Sequence, residues 1–171
     1  YGHNINRYMK HLKHILLLVA VLFSAQISAQ IETYTVPLNP WNANQKMPVA
    51  VYKPAGYNDS VGKTWPTIIF YHGAGEKGTD ITRITNTYIF RLIKNGQPPE
   101  AINPVTGQLE RFIVIAAQDL YGTPWPDNFR KVYEWLLTGG LRVDSSRVYT
   151  TGLSVGGAGS MLARKWDAAA A

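Results

Sequence analysis

The chain has 171 residues, 17 Lys and Arg against 11 Asp and Glu, 46% apolar residues and no cysteine. That composition fits a packed globule of about one domain and excludes a disulfide scaffold, a thiolate metal site and a cysteine nucleophile together. Of the formal charge of +6, Arg7, Lys10 and Lys13 supply three charges before residue 30, where no acid lies. The remaining charges are scattered without a Lys/Arg cluster, which argues against a nucleic-acid partner. His3, His11 and His14 also precede residue 30, so His72 is the only histidine in the rest of the chain.

Met9 opens a basic stretch through His14, followed by nine unbroken apolar residues, Ile15 to Phe23, and then the small polar run Ser24 to Gln30. This order predicts a secretory signal peptide over residues 9–29, cleaved after Ala29. The apolar run is too short for a transmembrane helix, which needs about 20 such residues. The mature protein is therefore expected to be secreted or periplasmic, without stable membrane insertion. Residues 1–8 read as upstream leader. The abrupt run Asp167 to Ala171 makes residues 30–171 read as the N-terminal part of a longer domain.

Ile31 to Val36 alternates with period two, and Pro48 to Tyr52 is a second short apolar run, so both are predicted strands of an antiparallel start. Pro54 to Ser60 is a polar turn. Gly56 to Thr64 resembles a phosphate loop, but five residues stand between Gly56 and Gly62 where four are required, and Trp65-Pro66 leads into a strand. Thr67 to Tyr71 and Phe112 to Ala117 are continuously apolar or β-favouring, as strands covered on both faces are. Tyr88, Ile89, Leu92 and Ile93 recur at helical spacing between Asn86 and Lys94, stopped by Gly96 and Pro98-Pro99. Asp127 or Asn128 is expected to cap a helix whose inner stripe is Phe129, Val132, Tyr133, Leu136 and Leu137. Arg147 to Gly152 is the next strand, and a small-residue helix runs from Val155 to about Lys165. Strands alternating with helices predict an α/β fold, a mostly parallel sheet with helices on both faces.

Gly152-Leu153-Ser154-Val155-Gly156-Gly157 falls between that last strand and its helix. A serine hydroxyl is a weak nucleophile unless a base and an oxyanion site adjoin it. A sharp strand-to-helix turn exposes its Oγ, and glycines two positions to either side are needed where a Cβ would strike the neighbouring strand or helix. Ser154 is the candidate catalytic residue. The Gly-rich turn His72-Gly73-Ala74-Gly75, after the first buried strand, can offer the Ala74 N–H toward the same space as the Val155 N–H, making these two the candidate oxyanion donors. Gly73, Gly75 and Gly78 also satisfy a dinucleotide fingerprint. No helix is predicted directly after Gly78, however, and the acid about 20 residues on, Glu100, sits in a Pro-rich loop. No metal cluster is visible, and no cofactor is implied.

Together these stretches resemble the α/β-hydrolase superfamily, in particular its secreted carboxylesterase, feruloyl-esterase and predicted-peptidase branch, near the phospholipase/carboxylesterase and dienelactone-hydrolase groups. The resemblance runs from about Val49 to Arg164 and is carried by Val51 to Tyr57, Trp65-Pro66, His72 to Gly75, Ala117-Gln118, and Val143-Asp144 through Gly156. It implies an open, mostly parallel sheet, a nucleophile at Ser154, oxyanion donors at Val155 and Ala74, and a triad in the chain order serine, acid, histidine. It gives His72, Gly73 and Gly75 the role of supporting the oxyanion loop. The chain departs from the pattern in having no histidine after Ser154 and Asp167 as its only later acid. The strand Arg147 to Gly152, interior in that fold, would here have an open edge prone to pairing with another chain.

The expected function is a secreted serine hydrolase of carboxylic esters, acting on small-molecule or polysaccharide-linked acyl or feruloyl groups. Tyr121 and Trp125, in the loop Leu120 to Pro126, are candidates for lining the substrate pocket. Alternative readings are a noncatalytic binding module on the hydrolase scaffold, a secreted serine peptidase of the same superfamily, and a nucleotide-dependent oxidoreductase using the Gly73-Gly75-Gly78 turn.

Overall fold

The chain opens with the antiparallel pair its alternation predicts. β1 (Gln30–Asn39) and β2 (Asn42–Lys53) place Ile31 opposite Tyr52 and Val36 opposite Met47. The structure is a computed structural model and describes residues 30–39, 42–120 and 125–167. The signal segment 9–29 and Tyr121 lie outside these residues. Among the described residues no helix is long and apolar enough to cross a membrane.

β3 (Trp65–Tyr71) and β6 (Ile113–Ala117) are the two runs predicted to be covered on both faces, and every residue of β6 is buried. They lie side by side and parallel, with Ile68 opposite Val114, and β2 joins the other edge of β6 antiparallel, Val51 opposite Ile115. β7 (Val143–Gly152) pairs parallel to β3 and completes the order β1-β2-β6-β3-β7. The strand is longer than the predicted Arg147 to Gly152. Between Trp65↔Val143 and Thr67↔Val148 the register shifts. That irregularity is stitched by Asp144, which accepts from Ser146 N at 3.1 Å and Arg147 Nε at 2.7 Å, while Arg147 also pairs with Glu110.

Side chains alternate across the sheet, so one strand feeds two cores. Val49, Val51, Ile69, Tyr71, Ile113 and Ile115 face one layer with Val132 and Leu136 of α3 (Trp125–Thr138), and Ala163 of α4 (Val155–Asp167) packs against it. Ala50, Tyr52, Phe70, Val114 and Ala116 face the other, covered by Ile84 of α1 (Thr82–Thr85) and by Phe90 and Ile93 of α2 (Tyr88–Lys94). The result is a helix–sheet–helix sandwich. Among the described residues β7 forms the outer edge of the sheet. Tyr149 stands 49% exposed beside Ile68, Phe112, Thr150 and Thr151 in a groove on that edge.

Three expectations need correction. α3 starts at Trp125, so Asp127 and Asn128 lie in its first turn and do not precede it. Pro126 is tolerated there because the first N–H groups of a helix have no intrahelical acceptor, and Asn128 is instead drawn into a buried hydrogen bond with Asp119. Trp125 is therefore helical and not part of a loop reaching Pro126. Glu100, expected in a Pro-rich loop, opens the exposed hairpin β4 (Glu100–Ile102) and β5 (Leu109–Arg111), pairing with Arg111 at 2.7 Å. The Gly56–Thr64 stretch is the expected turn: Gly56 and Gly62 have φ of 82° and 86°, and β3 follows at once.

Candidate active site

The turn between β7 and α4 is set by how closely three backbones meet. A Cβ on Gly152 would lie 2.4 Å from the Gly156 carbonyl carbon, and a Cβ on Gly156 would lie 2.1 Å from Tyr71 O and 2.6 Å from His72 O. No side chain survives such contacts, so both glycines are sterically required, as their spacing predicts. Gly157 is different, since its nearest such neighbour is Gly152 O at an ordinary 3.8 Å. The Leu153 N–H donates to Tyr71 O at 3.0 Å and fastens the turn to the end of β3.

This compression forces Ser154 to φ 54°, the left-handed region. A non-glycine residue there costs about 1–3 kcal/mol and persists only where its surroundings over-determine it. Ser154 is exposed, and its hydroxyl makes no hydrogen bond among the described residues. The Val155 N–H starts α4, where the first amides lack intrahelical acceptors and the positive end of the helix dipole lies. It enters no backbone hydrogen bond among the described residues.

The loop after β3 lies against this turn. A Cβ on Gly73 would sit 3.8 Å from both Leu153 O and Leu153 Cδ2. Ala74 begins a short 3-10 turn, Ala74–Glu76, is exposed, and its N–H likewise enters no backbone hydrogen bond among the described residues. The structure thus brings Ser154, Val155 and the Gly73–Ala74 corner to one end of the sheet. Gly75 has open space where its Cβ would be, whereas a Cβ on Gly73 would meet Glu76 Oε2 at 2.9 Å. Gly78, at φ 131°, leads to Asp80 and the four-residue α1, not to a long phosphate-facing helix.

His72 has no exposed surface. Its Nε2 accepts the Asp119 N–H at 2.9 Å, so the ring proton is on Nδ1, which lies 2.5 Å from Gly73 O and donates to it. Both nitrogens are committed to holding the loop, in keeping with a supporting role and not that of a base for Ser154. Burial is the main cause that pushes its pKa below the ordinary 6.5, against the raising effects of Gly73 O and the Asp119 charge. Tyr121 and the Trp125 side chain lie outside the described residues. The described cavity nearest them in sequence, about 410 Å³, is bounded by Lys77, Gly78, Thr79, Asp80, Arg83 and Leu120, with no aromatic side chain among them. What sequence reasoning misses is the structural role of Gln118 and Asp119, whose bonds to this loop span some forty residues and leave no local pattern.

Two substitutions in one helical turn separate the steric claim from general helix effects. Gly156→Ala should cost about 3 kcal/mol or more, because the clash is with backbone that cannot swing aside. Gly157→Ala should be neutral or gain up to about 1 kcal/mol, as alanine does in helices. Urea unfolding midpoints check both.

A buried neutral His72 also fixes the sign of a pH effect. The unfolded chain takes up a proton near the ordinary histidine pKa while the folded chain resists it. Stability is therefore full above that value and falls as pH drops through it, by at most about 1.4 kcal/mol per pH unit for one proton. Urea titrations between about pH 7 and pH 5 should show this slope in the parent and its loss in His72→Asn. An unchanged slope would remove His72 as its source.

No protein-family model matches the sequence, and no curated protein matches it. Solved structures do match. A thermostable esterase superposes with a TM-score of 0.53 at 20% identity, over 78% of this chain and 36% of its own. A bacterial heroin esterase gives 0.51 at 16% identity, over 91% of this chain and 46% of its own. A fluorophosphonate-binding serine hydrolase of Staphylococcus aureus gives 0.51 at 16% identity, over 77% and 49%. The chain thus spans less than half the length of these structures. Its strand order, its two helical layers and these superpositions agree on one architecture: the chain carries the α/β-hydrolase fold.

Proposed function

We propose that the protein is a serine hydrolase of carboxylic esters, with Ser154 as nucleophile. The observation that carries this reading is the exposed serine at φ 54°, forced there by glycines packed backbone on backbone between β7 and α4. Strain held at an exposed hydroxyl, beside amides left without backbone acceptors, is what an acyl-transfer turn requires. The fold shared with two esterases and a serine hydrolase supports it.

In this mechanism Ser154 Oγ attacks the acyl carbon and gives its proton to a base. The carbonyl oxygen takes the negative charge and receives the Val155 and Ala74 N–H groups. The alcohol then leaves with a proton, and water releases the acyl group from Ser154. The base is not His72, whose nitrogens are engaged. The triad order that the resemblance implies puts an acid and a histidine after Ser154, and no histidine follows Ser154 in this sequence. Residues 30–171 alone keep only the oxyanion and binding contributions, about 10³–10⁴-fold over water. The order of the N-terminal segment supports export, and export together with the branch resemblance favours acyl or feruloyl groups on polysaccharide over lipid esters. That the one histidine among the described residues has both ring nitrogens engaged is also what a noncatalytic binding module on this scaffold would show.

A fluorophosphonate probe on the full-length secreted protein decides between the two. Labelling at Ser154 that disappears in Ser154→Ala, with the fold retained, is the expected result. No labelling of the parent, or labelling that Ser154→Ala leaves intact, contradicts the hydrolase reading.

A further inference from the structure

The loop carrying Ala74 has little structure of its own. Its one regular element is a three-residue turn, and the Glu76 N–H to Gly73 O bond inside it is long, at 3.4 Å. Something else must hold the Ala74 amide still, because an oxyanion donor acts only if it is already in place when charge develops.

Two residues at the end of β6 do this holding. Gln118 and Asp119 have no exposed surface. The Gln118 N–H donates to Pro48 O of β2 at 2.8 Å, which ties this corner to the sheet. The Gln118 side chain reaches out, and its Nε2 donates to Glu76 O and to Asp80 O, each at 2.8 Å. Asp119 gives its N–H to His72 Nε2 at 2.9 Å and takes the Gly78 N–H on its carbonyl at 2.9 Å. Its carboxylate meets Lys77 Nζ at 3.0 Å and accepts from Asn128 Nδ2 at 2.6 Å. Residues 72, 76, 77, 78 and 80 are thus each bound to one sheet-anchored dipeptide. The side-chain amide suits the task because one nitrogen carries two protons aimed at two carbonyls. A carboxylate there would repel both, and a hydrocarbon would supply neither donor.

We propose that Gln118, backed by Asp119, is a positioning residue that fixes the Gly73–Asp80 loop and, through it, the Ala74 N–H relative to Ser154. The catalytic meaning rests on the serine-hydrolase reading; the mechanical one does not.

The test combines two readouts on the full-length protein and its Gln118→Leu variant. Backbone hydrogen exchange in residues 73–80 should quicken by about tenfold or more, with β7 unchanged, since only the loop loses its ties. The fluorophosphonate labelling rate at Ser154 should fall by about 10- to 1,000-fold, up to the scale of losing an oxyanion donor. Should Gln118→Leu fail to fold, Lys77→Met removes a partly exposed tie to the same dipeptide and should move both readouts in the same direction, by less. Parent-like exchange in residues 73–80 overturns the proposal, as does a loosened loop with an unchanged labelling rate. A parent not labelled at Ser154 defeats the hydrolase reading, while exchange still decides whether Gln118 sets the loop.

Discussion

The contact on which this site depends is the approach of Gly156 to the carbonyls of Tyr71 and His72. It joins the start of α4 to the end of β3 at a separation no Cβ would permit. Three consequences follow from it. The chain between β7 and α4 must turn within Leu153 and Ser154, which drives Ser154 into left-handed backbone. The amide end of α4 is brought beside the loop that leaves β3. And the serine is left standing out from the turn while the residues around it carry the packing. Stability and site geometry therefore share one constraint, and a substitution that relieves the crowding would also remove the reason for the serine's position.

The second layer is polar and buried. His72, Gln118, Asp119, Lys77 and Asn128 form a chain of hydrogen bonds and one ion pair between β6, α3 and the loop after β3. Buried polar groups are costly unless paired, and hydrogen bonds made in the interior hold what they touch. Gln118 Oε1 is buried without a hydrogen-bond partner among the described residues, so the hold comes from its Nε2. Here these bonds touch the loop that the oxyanion reading needs fixed. His72 is absorbed into this layer, which explains how the one histidine after residue 30 can stand close to Ser154 in the fold and yet not act as its base.

How much of this was legible in the sequence follows from how local each signal is. β3 and β6 read clearly because strands buried on both faces need unbroken apolar runs, and the serine turn read clearly because a backbone contact demands glycine at fixed offsets. Asp127 and Asn128 look like caps, so local pattern puts the start of the helix after β6 too late. Asn128 is in fact claimed by a partner nine residues back, and Pro126 sits harmlessly in the first turn. The β4–β5 hairpin leaves no sequence signal, since two three-residue strands with no buried residue cannot impose a period. Gln118 stands out in the sequence only through a family resemblance; its partners lie 42 and 38 residues away, and nothing near it in sequence announces them.

The central claim is geometric, that the compressed turn sets Ser154 beside two converging amides. A crystal structure of the full-length protein carrying a phosphonate on Ser154 tests it most directly. The account places the phosphoryl oxygen within about 3 Å of both the Val155 and the Ala74 nitrogens, as an oxyanion site requires. An oxygen turned to solvent, with those amides directed elsewhere, would contradict it.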